Sequence, residues 1–189
     1  MQTLPRKRNQ HGFSLIELVI AMAILAILVG VVSMRSGNLL ERSKITKITQ
    51  AVDSIKTAAV LYHTDTGAYC YHTTGTSRQL LSSTVAGWDG PYVDDGDLGK
   101  NNPYGLLYID NTHDGFGRVT GWDLDGDGTE ETTGNCNVIL LTGITQNMAQ
   151  KLDQHFDSGM TGAGAATWDK VGRFQWVSSN NSGVIFLFQ

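Results

Sequence analysis

The chain has 189 residues, 41% of them hydrophobic, which is enough for one core with an appendage and short of two comfortable domains. Charged residues make up 17% and Gly is frequent at 22 residues, so a loop-rich domain with a polar, uncharged surface is expected and low-complexity disorder is excluded. Apart from Arg6, Lys7 and Arg8 the chain has 11 basic residues against 18 acidic ones, which argues against a nucleic-acid partner because phosphate is held by clustered Lys and Arg.

Residues 1–12, MQTLPRKRNQHG, are polar and basic. From Phe13 to Val32 only Ser14 and Glu17 are polar, and these twenty residues make about 30 Å of helix, enough to cross a bilayer. The basic residues ahead of this span predict a cytoplasmic N-terminus and export of the chain beyond the span. A secretory signal fits less well: its apolar core is shorter, it ends in a small-x-small site, and it carries no acid near its start. Beyond Val32, Ile45, Ile48, Val52, Ile55, Ala59 and Tyr62 recur at steps of three and four, an amphipathic stripe. With no Pro in between, one helix over 13–62 is expected, apolar all round over 13–32 and one-faced over 33–62, with Gly30 and Gly37 as its soft points.

The remainder, 63–189, is broken by Gly, Asn and Asp. A short helix is expected over 77–85, strands over 105–110, 117–122, 137–141, 172–177 and 183–188, a helix over 145–156, and a turn at 178–182. The expected fold class is therefore α+β, a long helix packed on an antiparallel sheet.

Glu17 lies in the apolar run, where an unpaired ionised side chain costs at least about 2.5–3.5 kcal/mol, so it needs a partner. The string RKRNQHG followed by FSLIELVIAMAILAILVG resembles the type IV prepilins and the pseudopilins of type II secretion: a basic leader, Gly before Phe, Glu five residues after the cut, and a continuous apolar helix. The resemblance covers roughly the first 50 residues. It implies cleavage after Gly12 by a prepilin peptidase, methylation of the new N-terminus at Phe13, and a homo-oligomeric filament built by an inner-membrane assembly platform. Before assembly the subunit would sit in the bacterial inner membrane; afterwards it would be a periplasmic or cell-surface filament. The amine freed at Phe13 would pair with Glu17 of a neighbouring copy and set register, as a buried polar residue does in a coiled coil. One departure is Met34, where many pilus-forming members have Pro. LYHTDTGAYC (61–70), GWDGPYV (87–93), NPYG (102–105) and 141–159 resemble the same superfamily less specifically.

Cys70 and Cys136, the only cysteines, lack metal-site spacing and come after the anchor in the chain, so a disulfide is expected; two buried thiols is the alternative. The 67-residue loop it would close corresponds to roughly 4 kcal/mol. WDLDGDGTEE (122–131) places Asp123, Asp125 and Asp127 before Gly128, the opening of an EF-type calcium loop. The twelfth position is Gly134, so a complete EF-hand is excluded and a site would use Glu131, Glu130 or a distant carboxylate; a solvated Asp-Gly turn is the alternative. Asp89, Asp94, Asp95 and Asp97 have no ligand spacing and read as a surface loop. The five histidines adjoin no nucleophile, so no enzyme is expected. The reading is a structural subunit of a type IV pilus or pilus-like filament, with two alternatives: a calcium-binding major pseudopilin of type II secretion, or a low-copy adhesive or uptake pilin.

Overall fold

The computed structural model describes residues 12–73, 77–94, 98, 102–132, 134–162 and 167–189, with the backbone alone at 33–38. The rest of the expected leader, together with Asp95 and Asp97, lies outside the described residues, as does the side chain of Met34. The chain divides into two compact units, residues up to Arg42 and Ser43–Gln189.

A single helix, α1 (Leu15–Thr66), runs through Gly30 and Gly37 and four residues past Tyr62. It stops at Gly67, whose φ of +69° is the left-handed state that ends helices and whose N–H donates to the His63 carbonyl at 2.8 Å. In the first unit every large apolar side chain from Phe13 to Val32 is more than half exposed. In the second, Ile48, Ala51, Val52, Ile55, Ala58, Ala59 and Tyr62 are buried and Ile45 packs at their margin, so the three-and-four stripe is the face turned to the core.

That face meets a four-stranded antiparallel sheet of β1 (Leu107–Asp110), β2 (Asn137–Leu141), β3 (Phe174–Val177) and β4 (Ser182–Phe188), ordered β1-β2-β4-β3. The fold is pilin-like α+β. Period-two alternation divides the strands: Leu107, Ile109, Ile139, Leu141, Phe174 and Ile185 join the α1 core, while Val138, Leu140, Val184 and Phe186 join a second core on the opposite face. Burial on both faces is why 137–141 and 183–188 read as unbroken apolar runs. A second helix, α2 (Gln146–Phe156), adds Met148, Ala149 and Leu152 to the α1 core.

Both sheet edges are closed, which removes the unpaired ladder groups that template aggregation. Along β1, His72 exchanges backbone bonds with Ile109 at 3.0 and 2.8 Å. Along β3, Phe174 N–H donates to the Asp157 carboxylate at 2.7 Å and Trp176 N–H to the Asp169 carbonyl at 3.2 Å.

Three expectations are corrected. Residues 117–122 form no strand; only Trp122 pairs, in an isolated bridge to Thr132. Gly115, Phe116 and Gly117 are all left-handed, because the buried Asp110 carboxylate takes the N–H groups of Asn111 at 2.8 Å and Phe116 at 2.5 Å and winds the loop round itself. Residues 77–85 hold a single turn, with the N–H groups of Leu81 and Ser82 on the Arg78 carbonyl, rather than a helix. Cys70 and Cys136 are free thiols, not a disulfide. Cys70 belongs to the α1 core and Cys136, preceding β2, to the core on the other face, so the two side chains lie on opposite sides of the sheet. Burial pushes the Cys70 thiol up to about 12 and the Cys136 thiol up to about 11.

Candidate functional site

Two regions gather the sequence-marked residues. At the start of α1, Ser14 and Glu17 satisfy each other's backbone. Glu17 N–H donates to Ser14 Oγ at 3.2 Å, and Ser14 N–H and its hydroxyl both donate to Glu17 Oε2 at 3.2 Å. This is a capping box of the S-x-x-E form, with the acid three residues after the cap and its charge at the positive end of the helix. The arrangement uses one carboxylate oxygen, Oε2. Gly12 and Phe13 precede it, with Phe13 88% exposed, so a peptide bond between them stands clear of packed structure. The span Leu15–Val32 has a mean hydropathy of 3.0 and none of it is buried within the chain. Its length and composition suit membrane association.

The second region is the loop 122–132. The Trp122–Thr132 bridge closes its base, with Glu131 N–H on the Trp122 carbonyl at 2.8 Å. Trp122 is fully buried in the second core and donates its indole N–H to the His113 carbonyl at 2.8 Å. Above this anchor the chain turns back on itself through Gly126 (φ +81°) and Gly128 (φ +92°). Asp123 directs the turn, its two oxygens accepting the N–H groups of Gly126 at 2.6 Å and Gly128 at 3.0 Å. Asp125 accepts Asp127 N–H at 3.1 Å, Asp127 accepts Thr129 N–H at 2.7 Å, and Glu131 reaches back to Leu124 N–H.

The turn brings Asp123, Asp125, Asp127 and Glu131 together, with one carboxylate oxygen from each inside 4.8 Å of the others. Oxygens bound to one calcium ion at 2.3–2.6 Å lie at most about 5 Å apart, so this donor set fits a hard divalent cation. Asp123 is buried and the other three are exposed. Glu130 is not part of the group: its carboxylate lies over the bare Cα of Gly121. No Lys or Arg occurs between Arg118 and Lys151, so the loop's sequence supplies no countercharge of its own.

Sequence reasoning missed two supports. The loop 110–117 braces Trp122 through the His113 carbonyl, and the Thr112 hydroxyl at 2.6 Å holds Asp114 below the usual carboxylate range. The spacing Gly115–Phe116–Gly117 was the available signal for that turn. The other support is Asp157, half-buried at the end of α2, whose oxygens take the N–H groups of Arg173 at 2.9 Å and Phe174 at 2.7 Å. Gly172 in the same segment donates its N–H to the Asp123 carbonyl at 2.8 Å.

A polar-capped apolar helix whose later turns lie on an antiparallel sheet is a pilin-like arrangement, here with an acidic loop on the opposite face of the sheet. Residues 7–33 match the family model described as the prokaryotic N-terminal methylation motif. The chain is 27% identical over 138 residues to the type II secretion system core protein G of Aeromonas hydrophila, an alignment covering 70% of this chain and 96% of that protein. No solved structure matches it. Both similarities support assignment of the chain to the type IV pilin and type II secretion pseudopilin superfamily, consistent with a structural, non-catalytic role and with an N-terminal helix suited to membrane association.

Proposed function

We propose that this chain is a major-type pseudopilin of a type II secretion system, a choice that favours the second sequence reading over a surface pilus. The observation that carries it is the extent of the similarity to core protein G, which takes in 96% of that protein and so reaches well beyond the helix shared by all pilin-like chains. The subunit is inserted with its N-terminus in the cytoplasm, cut between Gly12 and Phe13, methylated at Phe13, and built into a homo-oligomeric filament by the inner-membrane platform.

Glu17 is the register device. Its Oε2 is held by Ser14 across the helix cap, which fixes the side chain near the helix start. An α-amine freed at Phe13 of a neighbouring copy supplies the countercharge that the carboxylate needs in an apolar bundle. The exposed Leu, Ile, Val and Ala surface of α1 gains little hydrophobic energy on leaving lipid for protein, so this contact and close packing select the arrangement.

Asp123, Asp125, Asp127 and Glu131 hold calcium. A bound ion would neutralise four clustered carboxylates and order a loop that covers the second core. Its chemistry here is structural.

Deletion of the gene tests the reading. Folded exoproteins should accumulate in the periplasm while surface pili persist, and the full-length gene should restore export. Loss of surface pili with export intact would overturn the secretion assignment in favour of a pilus subunit or adhesive pilin.

A further inference from the structure

The most unusual polar group outside these sites is Asp153. It lies in the last turns of α2, is only 3% exposed, and its Oδ1 has no hydrogen-bond partner among the described residues. The charged groups that act on it are carboxylates: Asp157 one turn further along α2, and Asp169 from the segment ahead of β3. Neither can relieve it by sharing a donor. Asp157 has both oxygens on the N–H groups of Arg173 and Phe174, and Asp169 accepts the Thr167 hydroxyl. The Arg173 charge acts on Asp157, and its guanidinium donates to the Phe186 carbonyl at 3.4 Å.

A shared metal ion is not the remedy. Among the described residues the only group of three or more carboxylates, thiols or imidazoles whose ligand atoms converge is the loop at Asp123. A buried acid with like charges around it and no convergent oxygens is neutralised by a proton.

We propose that Asp153 carries a proton in the folded protein and that its ionisation is a pH-sensitive latch between α2 and the segment leading into β3. Protonated, the side chain sits neutral under the turn that Asp157 holds. Ionised, it repels Asp157 and Asp169 and must reach water, which pulls the end of α2 away from the Gly172–Phe174 turn. Burial first, then the charges of Asp157 and Asp169, push its carboxyl up to about 6 from an ordinary value of 3.8. The folded chain then binds more protons than the unfolded chain between those two values. The latch contribution is complete below the lower value and is lost as pH rises through the upper one. Two pH units of displacement correspond to about a hundredfold in the ratio of folded to unfolded protein.

The test uses full-length protein in detergent micelles, melted from pH 4 to pH 8 as wild type, Asp153→Asn and Asp169→Asn. Wild type should lose stability relative to Asp153→Asn by about a hundredfold in the unfolding constant between the ends of this range. Asp169→Asn removes one repelling charge and should make the loss smaller and complete it at lower pH. Hydrogen exchange at the Phe174 amide, corrected for its intrinsic rate, should accelerate above pH 6 in wild type alone. A pH-independent difference between wild type and Asp153→Asn would overturn the latch. If Asp153→Asn does not fold, unchanged Phe174 protection across pH 6 in wild type overturns it equally.

Discussion

Replacing Asp125 separates ion binding from loop architecture, because the two acids at the front of the loop carry different structural loads. Asp123 is buried and accepts two backbone N–H groups, from Gly126 and Gly128, each a charge-assisted bond of about 1.5–3 kcal/mol. Asp123→Ala should therefore cost about 3–6 kcal/mol even in chelator. Asp125 is exposed and accepts one, from Asp127 at 3.1 Å, so Asp125→Ala should cost about 1 kcal/mol in chelator. With calcium a hundredfold above Kd the wild type gains about 2.7 kcal/mol, and at 2–4 °C per kcal/mol its melting temperature rises by roughly 5–10 °C. The assay is a thermal melt of the full chain in detergent, in chelator and in millimolar calcium, with emission from Trp122 at the loop base as a local probe. The expected pattern is a calcium-dependent rise in wild type and none in Asp125→Ala, with the two melting within about 3 °C of each other in chelator. Indistinguishable wild-type melts would refute the ion site. An undiminished rise in Asp125→Ala would move it away from this loop.

Mass spectrometry of assembled protein should find an N-terminal peptide that begins at methylated Phe13; a peptide retaining Gly12 would remove the maturation step. Glu17→Gln should preserve the helix cap and membrane insertion while lowering filament yield, since it keeps a hydrogen-bond acceptor and deletes the charge. Normal yield would show that register is set elsewhere. Thiol titration should count no reactive cysteine in the native protein and two after unfolding, as expected for buried thiols with raised pKa values. Asn137→Leu should cost about 2–5 kcal/mol, because the buried Asn137 amide donates to the carbonyls of Cys70 at 2.8 Å and Asp110 at 3.0 Å and both would be orphaned. A melting temperature within 2 °C of wild type would show that those carbonyls find other donors.

The range of the forces involved decides which features were legible in the sequence and which were hidden. The stripe from Ile48 to Tyr62 was legible because a helix repeats its facing every three to four residues whatever it packs on. Strands β2 and β4 were legible as apolar runs, but their division between two cores was not, since that depends on what covers each face. The same ignorance produced the expected disulfide: spacing and compartment favoured it, while the facing of Cys136 across the sheet decided against it. Residues 117–122 had strand-forming Val, Thr and Trp, yet the Asp110 carboxylate bound the neighbouring N–H groups first. The acidic loop was legible from Asp-x-Asp-x-Asp-Gly, where local turn chemistry dominates. Choosing Glu131 over Glu130 required the structure, because it rests on Gly121 receiving the Glu130 side chain. Nothing in the sequence singles out Asp153 within the expected helix, and only packing makes it a buried acid.

The two faces of the sheet are closed by unlike means. One is covered by α1, whose burial stripe needs no cofactor and stabilises the domain by apolar contact alone. The other is covered by chain between β1 and β2 that contributes Val119, Trp122 and Cys136 to the second core but also carries a concentrated negative charge. Such a cover is self-opposing: the apolar groups favour closure while Asp123, Asp125, Asp127 and Glu131 repel one another above it. The backbone bonds to Asp123 and the Trp122–His113 contact hold the loop to the sheet, and a divalent ion would convert its repulsion into a tie. The Gly172 N–H on the Asp123 carbonyl carries that tie to the segment ahead of β3, the segment that Asp157 secures from the other side. A bound ion would therefore act on the sheet from β1 to β3 and not on a surface loop alone.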